Sequence, residues 1–242
     1  GLKVTFIPYG ATPKVTLQLR TNTGNIDDGE HVWLSDISYE MLRQGTENKT
    51  AKELAEAVAS MGGAIDSAVG MDSSYLGMSV LSEFADDAAN VIADLVLNAT
   101  FAESDLERIK SDTQRRLSVS KSSPASIATE AFYKSIYGNH PYGKFYPTSE
   151  SITAISAEDT ASFVSTNLVP NRSHLYVSGV FNKSEVAAAV ESAFSEWKKG
   201  NIPERKTVIT QAGPSLTMLE RKDAPQSTIR LGLATIAPSH PD

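Results

Sequence analysis

The chain has 242 residues, which is enough for one large domain or two small ones with a sizeable buried core. Apolar residues make up 40% and charged residues 21%, as in an ordinary globular domain, while the formal net charge of −7 argues against nucleic acid or an anionic membrane surface as the main partner. The absence of cysteine excludes disulfides, thiolate zinc sites and cysteine nucleophiles. No stretch reaches the roughly 18 consecutive apolar residues that a membrane-spanning helix needs.

The start of the chain predicts two strands and a helix. Residues 3–8 and 14–21 alternate apolar and polar side chains, and the turn-forming sequence "YGATP" between them predicts a pair of antiparallel strands. After a loop, the apolar residues fall on one face of a predicted helix that ends before Gly45. This helix contains the sequence "LSDISYEM" (34–41).

The middle of the chain predicts helices with recognisable starts around two further strands. Thr50 and Glu53 form a capping box ahead of a helix that ends at two glycines, and strands follow over 64–70 and 74–81. Four more helices are predicted to begin at a cap or at a proline: at Ser82, at Ser104 with Glu107, at Pro124, and at Ser156 with Asp159.

The end of the chain predicts a strand over 173–180 and a helix that Ser184 opens and that carries Trp197. A polar linker follows, and two last strands are predicted over 216–221 and 227–234. Strands in hairpins with helices gathered between them predict an α+β fold, a two-layer sandwich of a mostly antiparallel sheet packed against helices.

Several segments, in this order, resemble the pitrilysin/insulinase-like zinc peptidases, the inverzincins, whose signature is H-x-x-E-H. They are "GLKVTFIP", "EMLRQGT" (40–46), "AKELAEAVASMGGAIDSAVGMDSSY", "NHPYGK" and "LVPNRSHLYVSGVFNKSEVAAAVESAFSEW". In addition, "DAPQSTIRLGLATIAPSHPD" resembles the start of the family's second homologous half. The resemblance implies a pitrilysin/mitochondrial-processing-peptidase-like domain over 1–200, a linker over 201–215, and truncated opening strands of a second domain over 216–242.

The sequence "EMLRQGT" resembles the end of the family's metal-binding helix, where H-M-L-x-x-G-T is usual. Alignment on its "GT" places Asp36 and Glu40 where the family has two zinc-binding histidines, and Tyr39 where it has the general base. The family's third ligand, a glutamate, falls near 115–117, with Arg116 at the degenerate position. The resemblance therefore implies that all three ligands and the base are replaced in this chain.

The chemistry of a zinc peptidase leads to the same expectation. A catalytic zinc needs three protein ligands, an open fourth position and a base that takes a proton from the bound water. The histidines are far apart in the sequence: His31, His140, His174 and His240. We therefore expect no zinc in this chain, zinc being the cofactor of active relatives. Asp36 and Glu40 are predicted either to form a salt-bridge cluster with Arg115 and Arg116 or to be ordinary solvated helix charges.

The segment "IDSAVG" (65–70) resembles the edge strand to which an extended peptide adds in active relatives. The resemblance implies Asp66, Ser67, Ala68 and Val69 as candidate substrate-binding residues, and strand addition needs mainly free backbone groups rather than a metal. The alternative is an edge strand that a partner domain covers.

The function implied by the resemblance is that of a non-catalytic peptidase domain. It would support substrate binding and assembly, as a dimer, with a catalytic zinc peptidase domain or subunit of a bacterial protein that is periplasmic or secreted. Two alternatives stay open: a fragment of a longer zinc metalloendopeptidase whose active H-x-x-E-H lies outside this chain, and a purely structural assembly subunit that binds no peptide. Nucleic acid and a membrane span are not expected among the partners.

Overall fold

The fold is known from a computed structural model that describes residues 1–205, 207–210, 213–222, 226–233 and 235. A five-stranded mixed sheet forms its centre, in the spatial order β1-β5-β2-β4-β3. The strands are β1 (Lys3–Pro8), β2 (Lys14–Thr21), β3 (Ile65–Val69), β4 (Ser74–Leu81) and β5 (Ser173–Gly179). Only the β1–β5 pair is parallel, and β1 and β3 are the two edges of the sheet.

The described chain also forms helices, most of which share a buried core with the apolar face of this sheet. They are α1 (Leu34–Met41), α2 (Ala51–Ser60), α3 (Ala85–Leu97), α4 (Glu103–Ser122), α5 (Pro124–Tyr137), α6 (Ser149–Ala154), α7 (Ala157–Asn167) and α8 (Lys183–Ala193). In β2, Val15, Leu17 and Leu19 point into the core and are at most 1% exposed, while the residues between them are partly exposed. This alternation is the one that the sequence predicts, and the α+β prediction is confirmed.

The first two strands run antiparallel, as predicted, but they do not form a hairpin. Strand β5 lies between them, so that Leu17 pairs with Val177 and Val177 pairs with Phe6. Strand β5, with Leu175 and Val177 fully buried on its core side, takes this central position and so pairs both of its backbone edges. A strand from far along the chain cannot be seen in the local pattern of 3–21.

Two predicted helix starts are wrong. Ser104 and Glu107 do not form a capping box, because α4 begins one residue earlier with Ala102 at its N-cap and no side-chain cap. Ser82 does not cap α3 and instead begins a 3-10 turn, Ser82–Phe84, from which α3 continues. The capping boxes predicted at the starts of α2 and α7 are present. A cap depends on where the preceding chain enters the helix, which the residue types alone do not determine.

The start of α8 also differs from the prediction. Asn182, not Ser184, caps this helix, and its side-chain oxygen accepts a hydrogen bond from the Ser184 amide at 3.1 Å. Trp197 lies beyond the end of α8 and packs on Phe194. The short helix α6 is not foreseen in the sequence, because its six residues are too few to show a periodic pattern.

The strands predicted over 216–221 and 227–234 are not formed in the described parts of those ranges. Their apolar side chains are exposed instead: Leu216 86%, Met218 84%, Ile229 85% and Leu231 96%. Because a strand needs a paired neighbour, a period-two pattern without a partner stays extended chain. The division into domains at 201–215 stays a prediction. Within the described residues, no helix is long and apolar enough to cross a membrane.

Candidate functional site

Helix α1 exposes only the two positions at which the family has its histidines. Asp36 and Glu40 are partly exposed, and the other residues of α1 are buried. The two carboxylates are four residues apart, about one helical turn, so they lie on the same side of the helix. Helix α1 packs against α4, the helix that carries Arg116, and against α7 and β3.

The turn before α1 is held by Asp28, which the sequence interpretation did not single out. Its carboxylate accepts hydrogen bonds from the backbone amides of Trp33 and Ser35, each at 2.8 Å. The Asn25 side-chain amide donates to Asp36 Oδ2 at 2.7 Å, to Ser35 Oγ at 3.0 Å and to Asp28 Oδ2 at 3.2 Å. Trp33 has a φ of 70°, the only positive value of a non-glycine residue among those described. Asp28 and Asp36 are thus joined through one amide.

Burial changes the protonation of these two carboxyl groups. Burial, together with the negative charge of Asp36, raises the pKa of Asp28 to about 7. The hydrogen bonds from Ser35 act in the opposite direction and lower this pKa. Burial likewise raises the pKa of Asp36 to about 6, although the Asn25 hydrogen bond and the Arg116 charge oppose this. A carboxyl group that loses water and gains no counterion within contact distance retains its proton more readily. The pair therefore carries less than its full negative charge near neutral pH.

The predicted salt-bridge cluster is not formed as direct ion pairs among the described residues. Glu40 Oε2 lies 3.8 Å from Nη1 of Arg43, just beyond the end of α1. Arg115 pairs with Asp112 at 2.6 Å and is largely exposed, and Arg116 Nη2 donates to Thr113 Oγ1 at 3.0 Å. Glu40 and Arg115 are instead partly or largely exposed charges on the helix surface, which was the other predicted alternative. Arg116 is intermediate, because it lowers the pKa of Asp36 without contacting it.

Tyr39, at the position of the family's general base, is a core residue and is only 2% exposed. Its hydroxyl lies near the hydroxyls of Thr21 and Ser74 but has no hydrogen-bond partner within the described part of the chain. Those two hydroxyls are engaged elsewhere, Thr21 with Ser173 and Ser74 with the Thr23 carbonyl. Burial raises the pKa of the Tyr39 phenol to about 12, so it cannot take a proton from water at neutral pH.

The residues at these positions do not fit a catalytic zinc ion. Asp36 Oδ2 is occupied by the Asn25 amide, and Arg116 brings a cation to the position of the third ligand. In the ranges that the structure describes, no group of three or more His, Cys, Asp or Glu side chains is arranged to hold a metal. Zinc needs three donors that are neutral or anionic, and this set supplies at most two carboxylates.

Strand β3 has a free outer edge beside this helix. It pairs only with β4 in the described chain, and it packs against α1. Asp66 and Ala68 are exposed, whereas Ser67 and Val69 are partly buried. The Tyr75 hydroxyl donates to Asp66 Oδ2 at 2.9 Å, which ties that carboxylate to the neighbouring strand. The structure therefore brings the predicted peptide-binding residues together on one edge.

A buried ion pair next to this edge was missed in the sequence. Arg172 Nη2 lies 2.8 Å from Asp27 Oδ2, and the two side chains are 2% and 5% exposed. A second arginine, Arg205, approaches the same oxygen at 3.1 Å. Buried charges are normally paired in this way. The three residues are so far apart in the sequence that no local pattern points to them.

Comparison with known protein families assigns the chain. The family described as insulinase (peptidase family M16) matches residues 7–146, more than half of the chain, and the family described as peptidase M16 inactive domain matches residues 154–242. The fold and this match thus define a peptidase-like class, and the chain belongs to the insulinase (M16) peptidase family. The predicted resemblance to pitrilysin and insulinase is confirmed.

Two bacterial proteins of about twice this length are among the curated relatives. The chain is 27% identical over 228 residues to an uncharacterized zinc protease of Rickettsia felis, covering 93% of this chain and 54% of that protein. It is 25% identical over 241 residues to an uncharacterized zinc protease of Mycobacterium leprae, with coverage of 97% and 54%. The chain therefore spans about half the length of the relatives it matches.

Solved structures agree on the fold. A peptidase M16 inactive domain from Pseudomonas fluorescens superposes with a TM-score of 0.79 at 21% identity, covering 86% of this chain and 52% of that one. A protease from Helicobacter pylori superposes with a TM-score of 0.77 at 17% identity, with coverage of 87% and 52%. At these identities the likeness concerns the fold alone.

Proposed function

We propose that this chain is a non-catalytic M16-type peptidase domain that supports substrate binding and assembles with a catalytic zinc peptidase domain or subunit. The proposal rests on the family's fold together with the residues at the implied positions of the three zinc ligands and the general base, none of which is the residue that catalysis requires. Asp36, Glu40 and Arg116 stand in place of the ligands, and the buried Tyr39 stands in place of the base. Hydrolysis then has to come from another domain or subunit, which has its own zinc.

Substrate binding does not depend on the lost metal. The open edge of β3 offers backbone donors and acceptors to an extended peptide, and Asp66, Ser67, Ala68 and Val69 are the residues beside it. Strand addition derives its affinity from main-chain hydrogen bonds and its specificity from alternate side chains. We place this function in a periplasmic or secreted protein and in a dimeric arrangement of homologous halves.

One alternative has a specific observation in its favour. Because the chain spans about half the length of relatives that are named zinc proteases, it fits a fragment of a longer zinc metalloendopeptidase whose H-x-x-E-H lies outside it. A purely structural subunit, the other alternative, would leave the β3 edge covered by its partner.

The experiment is co-expression of the parent protein with each H-x-x-E-H-containing M16 protein of the same organism, followed by co-purification and a quenched-peptide hydrolysis assay. We expect a stable complex that cleaves peptide, while the present chain alone does not. The matched control is a catalytic subunit with its motif glutamate changed to glutamine, which should give the complex without cleavage. Separate elution of every pair, or an unchanged hydrolysis rate in the complex, would contradict the assembly role. Cleavage by the parent protein alone would favour the fragment alternative.

A further inference from the structure

The linker meets the domain at a group of oxygen atoms that surround one guanidinium. Arg205 Nη2 donates to the Asn22 carbonyl at 2.9 Å, to Asp27 Oδ2 at 3.1 Å and to the Asp72 carbonyl at 3.1 Å. Its Nη1 donates to Asn22 Oδ1 at 3.2 Å and lies 3.8 Å from Asp72 Oδ1. Carbonyl and carboxylate oxygens on several sides of a planar fork suit arginine, which presents five donors in fixed directions.

This group of oxygens is anchored in the domain independently of the linker. Asp27 is 5% exposed and is held by Arg172, whose side chain also donates to the Asn22 carbonyl at 2.6 Å. Burial opposes ionisation of Asp27, but the hydrogen bond from Arg205 and the charges of both arginines lower its pKa. Arg172 neutralises Asp27, and the charge of Arg205 is met by Asp72 as well. Arg172 therefore holds Asp27 in place without the linker, whereas Asn22 and Asp72 are exposed residues of the site.

The same contact reaches the turn at the end of the edge strand. Asp72 lies in the turn between β3 and β4, and its carboxylate also accepts a hydrogen bond from the Tyr142 hydroxyl. The backbone of this turn is further tied to the segment after β2, because the Asn25 and Ile26 amides donate to the Gly70 and Met71 carbonyls. Arg205 thus joins the linker to the end of β2 and to the β3–β4 turn at a single point.

We propose that Asn22, Asp27 and Asp72 form a guanidinium-binding site that Arg205 occupies, and that this contact fixes the linker on the domain beside the end of β3. Release of Arg205 frees the linker and loosens the β3–β4 turn together. The proposal does not depend on the loss of catalysis, because it concerns the geometry of the linker and not the metal site.

The test is hydrogen exchange measured by mass spectrometry on the full 242-residue chain. Arg205→Ala should speed exchange about tenfold in peptides covering 199–205 and 70–75, as expected when charge-assisted hydrogen bonds are lost. Arg205→Lys should give a smaller increase, because an ammonium keeps the charge but cannot span the same oxygens. Dilute guanidinium ion, added to Arg205→Ala below denaturing concentration, should slow exchange again in 70–75 but not in 199–205.

Arg221→Ala is the matched control, because Arg221 is exposed beyond the linker. It should leave both peptides unchanged. If Arg205→Ala changes them no more than this control, Arg205 does not hold the linker. If exchange rises in 199–205 alone, the coupling to the β3–β4 turn is wrong. A rise across the core strands β2 and β4 as well would also contradict the proposal, because the contact would then stabilise the whole domain rather than position the linker.

Discussion

Helix α1 has a buried side and a partly exposed side, and the two sides differ in the residues they carry: the buried side is mostly apolar and the partly exposed side is acidic. Ile37 and Met41 are fully buried apolar residues, as the core of this fold requires. Asp36 and Glu40, on the exposed side, are at the positions where the resemblance implies the family's histidines. The comparison teaches that the fold depends on packing spread over many residues, whereas the reaction depends on a few side chains, so one can be kept without the other.

The exposed side has also acquired local partners. The Asn25 amide occupies Asp36, and the charge of Arg116 acts on the same carboxyl group. A carboxylate that is removed from water needs a proton or hydrogen bonds. The partly exposed side of α1, where the resemblance implies the metal-ligand positions, thus interacts with this chain's own polar groups.

The largest effect is expected on the buried side. Ile37→Ala should lower the free energy of unfolding by about 3 kcal/mol, because it removes buried methyl groups and leaves a cavity. Urea titration followed by circular dichroism measures the loss. Glu40→Ala is the matched change on the exposed side and should stay within about 0.5 kcal/mol of the wild type. An equal loss of unfolding free energy in Ile37→Ala and Glu40→Ala would contradict the difference between the buried and exposed sides of α1.

An intermediate effect is expected from the carboxyl group of Asp36, and it depends on pH. The pKa values of Asp36 and Asp28, about 6 and about 7, are raised above the ordinary value of 3.8. The folded chain therefore holds protons that the unfolded chain releases, and this stability is complete below 3.8 and is lost as pH rises through the two folded values. Carboxyl groups with a lowered pKa, such as Asp27 and Asp159, have the opposite effect at lower pH. Their contribution to stability is present above pH 3.8 and is lost as the pH falls through their folded-state pKa.

Asp36→Asn keeps an acceptor for the Asn25 amide and removes the titration. It should raise the free energy of unfolding by about 1 kcal/mol at about pH 8 and change it little at about pH 4. Urea titrations across this range measure both values. Glu196→Gln, on an exposed residue, should leave the pH profile unaltered. A variant that is less stable at high pH would show that the Asp36 charge is stabilising and would contradict the account.

The smallest effect is expected at Tyr39. Tyr39→Phe removes a buried hydroxyl that has no partner among the described residues, so the free energy of unfolding should stay within about 0.5 kcal/mol of the wild type or rise slightly. The same urea titration applies. A loss above about 1.5 kcal/mol would mean that the hydroxyl makes a hydrogen bond worth keeping.

Features that depend on neighbouring residues could be predicted from the sequence. The Thr50 capping box is present because both of its partners lie within one turn. The position of β5 between β1 and β2 could not be foreseen, because pairing of distant strands leaves no trace in local periodicity. The strands over 216–221 and 227–234 were predicted from the local pattern alone, and the described parts of those ranges do not form strands.

For the candidate site, the sequence predicted which residues lie at the motif positions but not the directions and contacts of their side chains. The family spacing located Asp36, Tyr39, Glu40 and Arg116, since motif positions are a property of sequence. It did not show that Tyr39 points into the core or that Arg115 turns to Asp112, because side-chain direction depends on packing. Asn25, whose side-chain amide donates a hydrogen bond to Asp36, lies in a predicted loop and was not among the predicted site residues.

The most direct test of the central claim is zinc content, measured by elemental analysis of the chelator-treated and zinc-reloaded chain, with peptide hydrolysis assayed on the same sample. A variant with Asp36→His, Glu40→His and Arg116→Glu is the positive control and should bind about one zinc per chain without cleaving peptide, because Tyr39 still replaces the base. The account predicts far less than one zinc per chain and no cleavage for the wild type. Stoichiometric zinc in the wild type, with cleavage that Glu40→Gln abolishes, would contradict it.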